Sequence, residues 1–189
     1  MSKKRLSIEW VIAIVLLFFA VKESPYFNYY HLSPLAAHEQ SERTYHYGPS
    51  NIVESIDVGD VRLYMGTYKE WFSVNSVEKH AGVFWRPGSH VGGTEIDKNQ
   101  AISYSWSGST INDDLMLMKI YGVVTNPNIV EVQLDVMEGS GNPVQTLSYP
   151  LKDHRMFLFY WNELENPYKW LFLRGVDKTG NTVYEHELS

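Results

Sequence analysis

From about residue 100 to its end, the chain is cut by turn-forming residues at near-regular intervals, and this spacing limits the fold more than any other feature. The cuts are Asn126-Pro127-Asn128, Glu138 to Pro143, Pro150 to Asp153, Asn162 to Pro167 and Asp177-Lys178-Thr179-Gly180-Asn181. Each is rich in residues that fix or permit tight turns. The segments between them are short. Residues 130–136 read Val-Glu-Val-Gln-Leu-Asp-Val, the period of a half-buried strand, and Ile-Ser-Tyr-Ser-Trp-Ser at 102–107 repeats it with aromatics on the inner face. The runs at 115–124 and 156–161 are apolar almost throughout, as strands buried on both faces are. The pattern predicts seven strands, near 100–107, 115–124, 129–137, 143–149, 155–161, 168–176 and 182–188. In the last of these Val183 is the expected inward residue, and Gly180 is placed where positive φ is needed. No stretch after residue 30 shows a sustained helical period, so the predicted class is all-β.

Seven short strands in about ninety residues have the size and rhythm of an immunoglobulin-like sandwich. The run Ile120-Tyr-Gly-Val-Val, the strand at 129–136 and the segment from Leu171 to Glu185 with its Asp-Lys-Thr-Gly-Asn turn resemble bacterial immunoglobulin-like β-sandwich modules. The resemblance covers the last half of the chain and departs from antibody-type domains in lacking the cysteine pair. It implies a structural or adhesive role in a small membrane-anchored extracytoplasmic protein. The expected organisation is a cytoplasmic tail at 1–7, a transmembrane signal anchor at 8–27, a stalk or lead-in at 28–47, a small β module at 48–97 and an immunoglobulin-like β-sandwich at 98–189.

The anchor rests on the uncharged apolar core from Trp10 to Val21, flanked by Lys3, Lys4 and Arg5 on one side and by a Tyr/Phe cluster on the other. That core is shorter than the roughly 20 residues of a usual span, and Leu6, Ile8 and the aromatics after Pro25 extend it. Ala20 follows Phe18 at the offset where a cleavage site needs a small residue, which favours an uncleaved anchor over a removed signal peptide. The basic cluster then stays in the cytoplasm, leaving a single-pass protein of the cell membrane with its body outside. Beyond residue 22 there remain 12 basic and 21 acidic residues, a formal charge near −9. Such a body lacks the basic field that nucleic-acid binding exploits. The absence of cysteine and of any Asn-x-Ser/Thr site points to a bacterial envelope.

Catalytic chemistry finds no support in the motifs. His38-Glu39-Gln40-Ser41-Glu42 opens like a metalloprotease helix but lacks the second histidine, and the other six histidines have no ligand spacing. Gly139-Ser140-Gly141 is explained as a turn, and Asp113-Asp114 and Glu163/Glu165 as solvated loops. The reading is therefore not an enzyme, with no cofactor and no metal. Aromatics make up 14% of the chain and carry what functional signal there is. Trp106 and Trp170 lie in strand patterns and are expected in the core, whereas Trp71 and Trp85 lie beside turns and are the candidate ligand or partner surface. The expected function is a membrane-anchored extracytoplasmic interaction or structural domain with a protein partner. The alternative is a cell-wall or glycan-associated binding protein, or weak hydrolase, using exposed aromatics.

Overall fold

Strands β7 (Leu115–Val124) and β10 (Met156–Asn162) form the middle of the molecule because their side chains are apolar on both faces. A computed structural model describes residues 3–22, 29–88, 91–139 and 143–188. In it β7 lies between β10 and β6 (Ile102–Asn112) in a three-stranded antiparallel sheet. Successive residues of these strands serve opposite sides, as the two-residue period of a strand demands.

One side faces a four-stranded antiparallel sheet of order β12-β11-β8-β9, made of β8 (Ile129–Glu138), β9 (Val144–Pro150), β11 (Tyr168–Asp177) and β12 (Thr182–Glu187). Between these two sheets Met118, Ile120, Phe157 and Phe159 meet Val132, Leu134, Val136 and Leu173 in one buried cluster. Within the central sheet β6 and β10 crowd β7 at Gly122, where a Cβ would run into the Ser103 carbonyl and the Phe157 ring.

The other side is covered by the first half of the body. There β1 (Asn51–Val58), β2 (Val61–Tyr68), β3 (Trp71–His80) and β4 (Phe84–Pro87) lie in sequence order, and the short β5 (Thr94–Glu95) pairs with β3. Val61, Leu63, Met65, Phe72 and Val74 of this sheet pack on Leu117, Tyr121, Met156 and Leu158. Residues 48–97 therefore share a core with the central strands β7 and β10. A polar clasp ties the same parts together at Glu54, beside the bulge that interrupts the β1–β2 register. Its carboxylate accepts Lys152 Nζ at 2.5 Å and the Tyr149 hydroxyl at 3.3 Å. His154 Nε2 lies 3.3 Å away and carries the proton, since Nδ1 accepts the Met156 N–H. Burial pushes the Glu54 carboxyl up, but Lys152 and then His154 outweigh it and hold it below its ordinary range.

Two helices precede the strands among the described residues. The first, α1 (Lys3–Lys22), is 20 residues long, and residues 9–20 are exposed on every side; it joins none of the three apolar clusters of the described residues. The expected span at 8–27 is not supported. Residues 23–27 of it lie outside the described residues, and among those described no helix is long and apolar enough to cross a membrane. The uncharged run within α1, Trp10 to Val21, is interrupted by Glu9 on one side and Lys22 on the other.

The second helix, α2 (Pro34–Thr44), corrects the expected stalk at 28–47. Pro34 starts it, as proline's fixed φ and missing N–H suit the first helical position. Its packed face consists of Ala37, His38, Ser41 and Glu42, so the face is buried although the apolar period that announces a helix is missing. It covers the outer face of the β1–β5 sheet, where Ala37, Tyr64 and Val77 form a third cluster.

All seven strands expected after residue 100 are present, and the molecule is mostly β. The orientation of the last one is the reverse of expectation. A register shift between Gly175 and Val176 sends Val183 outward, and Tyr184 and Leu188 pack on the core instead. The turn before it behaves as predicted: Gly180 has φ +85°, and Asp177 Oδ1 accepts the N–H groups of Thr179 and Asn181. Gly180→Val should lower stability by about 1–3 kcal/mol through backbone strain, read as a shifted urea midpoint, although open space surrounds the position. An unmoved midpoint would contradict the turn.

Candidate functional site

Beneath α2 lies the most polar interior of the body. His38 is stacked on the Tyr64 ring at 4.6 Å, and the Asn75 amide donates to its Nδ1 at 2.8 Å. The ring proton is thereby placed on Nε2, which faces Glu42 Oε1 at 3.3 Å and Ser50 Oγ at 3.4 Å. Glu42 in turn accepts the Ser50 N–H at 3.2 Å. A nucleophilic triad places acid and hydroxyl on opposite ring nitrogens. Here both stand at Nε2, so the arrangement cannot relay a proton from Ser50 to Glu42 through the ring. It fixes α2 and the segment after it to the sheet.

Burial pushes the His38 imidazole below its ordinary pKa of 6.5, against the pull of Glu42 and Glu39, so the ring is neutral at pH 7. As pH falls below 6.5 the unfolded chain takes up a proton that folded His38 resists. The stability contributed by the neutral ring is thus fully present above 6.5 and is lost on acidification through the folded pKa. Urea midpoints should fall in that window, and His38→Gln should flatten the fall. An identical acid profile in the variant would contradict the assignment. Beside this cluster Glu39, Glu42, Arg43, His46, Tyr47, Gly48 and Pro49 line an open concavity of about 570 Å³.

A second concavity, about 450 Å³, runs along the outer edge of β6. Its wall holds Gly92, Gly93, Thr94, Ser105, Trp106, Ser107, Gly108 and Tyr121, none of them charged at neutral pH. Burial raises the Tyr121 phenol pKa, with the Ser105 and Ser107 hydroxyls pulling the other way. Trp106 is 58% exposed and begins an aromatic chain: it meets Trp170 at 5.6 Å, which meets Trp161 at 5.9 Å. Trp161 Nε1 donates to Glu163 at 2.7 Å, while the buried Trp170 Nε1 has no partner among the described residues. The expectation that Trp106 is core is corrected. Its alternation points it toward the four-stranded sheet, but β6 is an edge strand, so the ring is left open on one side.

Neither concavity brings together a nucleophile, a base and an oxyanion donor, and no three His, Asp or Glu side chains converge among the described residues. Residues 32–188 match a family described as a domain of unknown function, DUF5044. The chain belongs to the DUF5044 family. No curated protein and no solved structure matches it. The DUF5044 match takes in α2 and the twelve strands of the described residues, and begins beyond α1.

Within the DUF5044 unit the two tryptophans singled out from the sequence are far apart. Trp71 pairs with Glu95 at one end of β3, whereas Trp85 pairs with Lys79 at the other. Eight residues of strand separate those positions by about 27 Å, so they form no common platform. Trp71 is 42% exposed, close to Gly93. Trp85 is half-buried: it packs on the cluster under α2, Arg62 lies 5.7 Å over its ring, and its backbone is bridged to His31. Sequence reasoning also passed over Lys119, the lone charge in the apolar run of β7. It is fully buried and its Nζ has no partner among the described residues.

Proposed function

We propose that the chain is a membrane-anchored, extracytoplasmic interaction or structural domain of the bacterial envelope. The observation that carries this reading is α1, exposed and apolar around its whole circumference from Trp10 to Phe19 and unpacked against the described body. A helix of that kind needs an apolar surrounding. Twelve uncharged residues rise only about 18 Å, against a hydrocarbon depth of about 30 Å, so insertion requires Lys22 and Glu9 to reach headgroups from within the helix. Lys3, Lys4 and Arg5 on one flank favour a cytoplasmic N-terminus. The immunoglobulin-like reading of the C-terminal half is supported by its connectivity. Its first, second and fifth strands share one sheet, and its third, fourth, sixth and seventh share the other.

Fractionation of expressing cells tests the anchor. The full chain should stay in the membrane pellet through an alkaline carbonate wash and leave it only with detergent. Recovery in the soluble fraction would contradict the reading.

The uncharged groove at β6 favours a second reading, a neutral glycan bound along this open edge strand, with Trp106 on one face and the hydroxyls of Ser105 and Ser107 on the other. Soluble peptidoglycan fragments should then change the tryptophan fluorescence of the full chain, and Trp106→Ala should remove the change. A flat titration would discard this reading.

A further inference from the structure

Exposed apolar side chains of the body gather at one corner. Tyr29, Tyr30 and His31 run antiparallel beside β4, with His31 and Trp85 exchanging backbone hydrogen bonds at 2.7 Å. That register sets Leu32 across from Phe84. Tyr30 packs on Phe84 and His80, and the Tyr29 hydroxyl donates to the Pro87 carbonyl at 3.3 Å. The β3–β4 hairpin turns on Ala81 and Gly82, at φ +50° and +77°, and presents Val83 at its tip. Leu32 is 80% exposed and Val83 58%, with Tyr29, Leu35 and Phe84 also open beside them. The other large exposed apolar residues of the body, such as Trp71, Trp106, Val144 and Leu164, stand on separate elements. The nearby charges are of both signs, with Lys79 on β3 beside Asp60 of the β1–β2 turn.

This corner is also where the body is tethered. Six residues separate Lys22, the end of α1, from Tyr29, so the corner lies within about 25 Å of the helix end at full extension. We infer that the corner formed by Tyr29, Leu32, Val83 and Phe84 docks on the lipid surface into which α1 inserts, with Val83 and Leu32 entering the headgroup–acyl boundary. Aromatic and aliphatic side chains without a dominant charge suit a zwitterionic surface. Docking there orients the body, turning the end of the β1–β5 sheet that carries the β3–β4 turn toward the bilayer. The inference rests on the membrane-anchor reading.

The chain has no cysteine, so single labelling sites can be introduced cleanly. Full-length Val83→Cys, Val15→Cys and Lys178→Cys variants would each carry an environment-sensitive fluorophore and be reconstituted in phosphatidylcholine vesicles. The expected result is a blue-shifted emission at 83 and 15 that spin-labelled lipid quenches, with water-like, unquenched emission at 178. Lipid contact at 15 with water-like emission at 83 would overturn the docking surface and leave the anchor standing. Water-like emission at both 15 and 83 would overturn both. A shift at 83 that lipid does not quench and that grows with protein density would assign the corner to a second copy of the chain, and would likewise overturn the inference. Adding Leu32→Asp should return the label at 83 to water-like emission while leaving 15 unchanged.

Discussion

Replacing Lys119 with methionine should stabilise the protein at pH 7 by about 3 kcal/mol, a gain seldom expected from a single substitution. Lys119 projects from β7 between Ser107 and Tyr160, on the face shared with Leu117 and Tyr121, and its ammonium is buried without a partner among the described residues. Burial alone pushes its pKa down from 10.5 to about 8. At pH 7 the folded chain therefore carries a desolvated charge that the unfolded chain leaves in water, and methionine fills a similar volume without it. The pH dependence gives an independent check. Between pH 8 and 10.5 the unfolded chain holds a proton that folded Lys119 has released, so rising pH favours the folded state. By pH 9.5 the parent should have gained about 2 kcal/mol, while Lys119→Met should show no such rise. Above that, unfolded tyrosines ionise near 10 while half-buried ones such as Tyr149, pushed up to about 12, resist, and stability should turn down in both proteins. Urea unfolding across this range decides the matter. A variant less stable than the parent at pH 7 would mean that Lys119 has a partner in the folded state.

The second large effect concerns two adjacent residues of β10. Phe157 packs against the four-stranded sheet and Leu158 against the β1–β5 sheet, both almost fully buried. Phe157→Ala should cost about 3–5 kcal/mol and Leu158→Ala about 2–5, since each leaves a cavity in a closed core. Tyr160, two residues on and 40% exposed, should tolerate alanine far better. Because both cores use the same central strands, each variant should unfold in one transition, with circular dichroism and tryptophan fluorescence moving together. If Leu158→Ala produced a separate early transition, the region at 48–97 would be a body of its own.

The strands were legible because their signal is local. Alternation at 130–136 gave the buried faces of Val132 and Leu134, and unbroken apolarity in β7 and β10 announced burial on two sides before any partner was known. What escaped depends on partners distant in sequence. Three of the four residues on the packed face of α2 are polar, with His38 and Glu42 partnered by Asn75, Ser50 and Tyr64, so hydrophobic periodicity could not reveal it, although Ser33-Pro34 stands at its start. Trp106 points to the predicted side, but strand order places β6 at an edge, and order is not a property of the strand itself. Trp85 lies beside a turn as expected, yet Arg62 and the cluster under α2 cover it. The reversed face of β12 comes from a single bulge, which shifts every later side chain to the other side.

The central claim is that the body is held outside the membrane by α1. It is tested most directly by cysteines placed at Lys178, in the exposed β11–β12 turn, and at Ser2, before the basic cluster. In intact protoplasts or spheroplasts an impermeant maleimide should label Lys178→Cys at once and Ser2→Cys only after the membrane is opened. Labelling of Lys178→Cys only after permeabilisation would contradict the account.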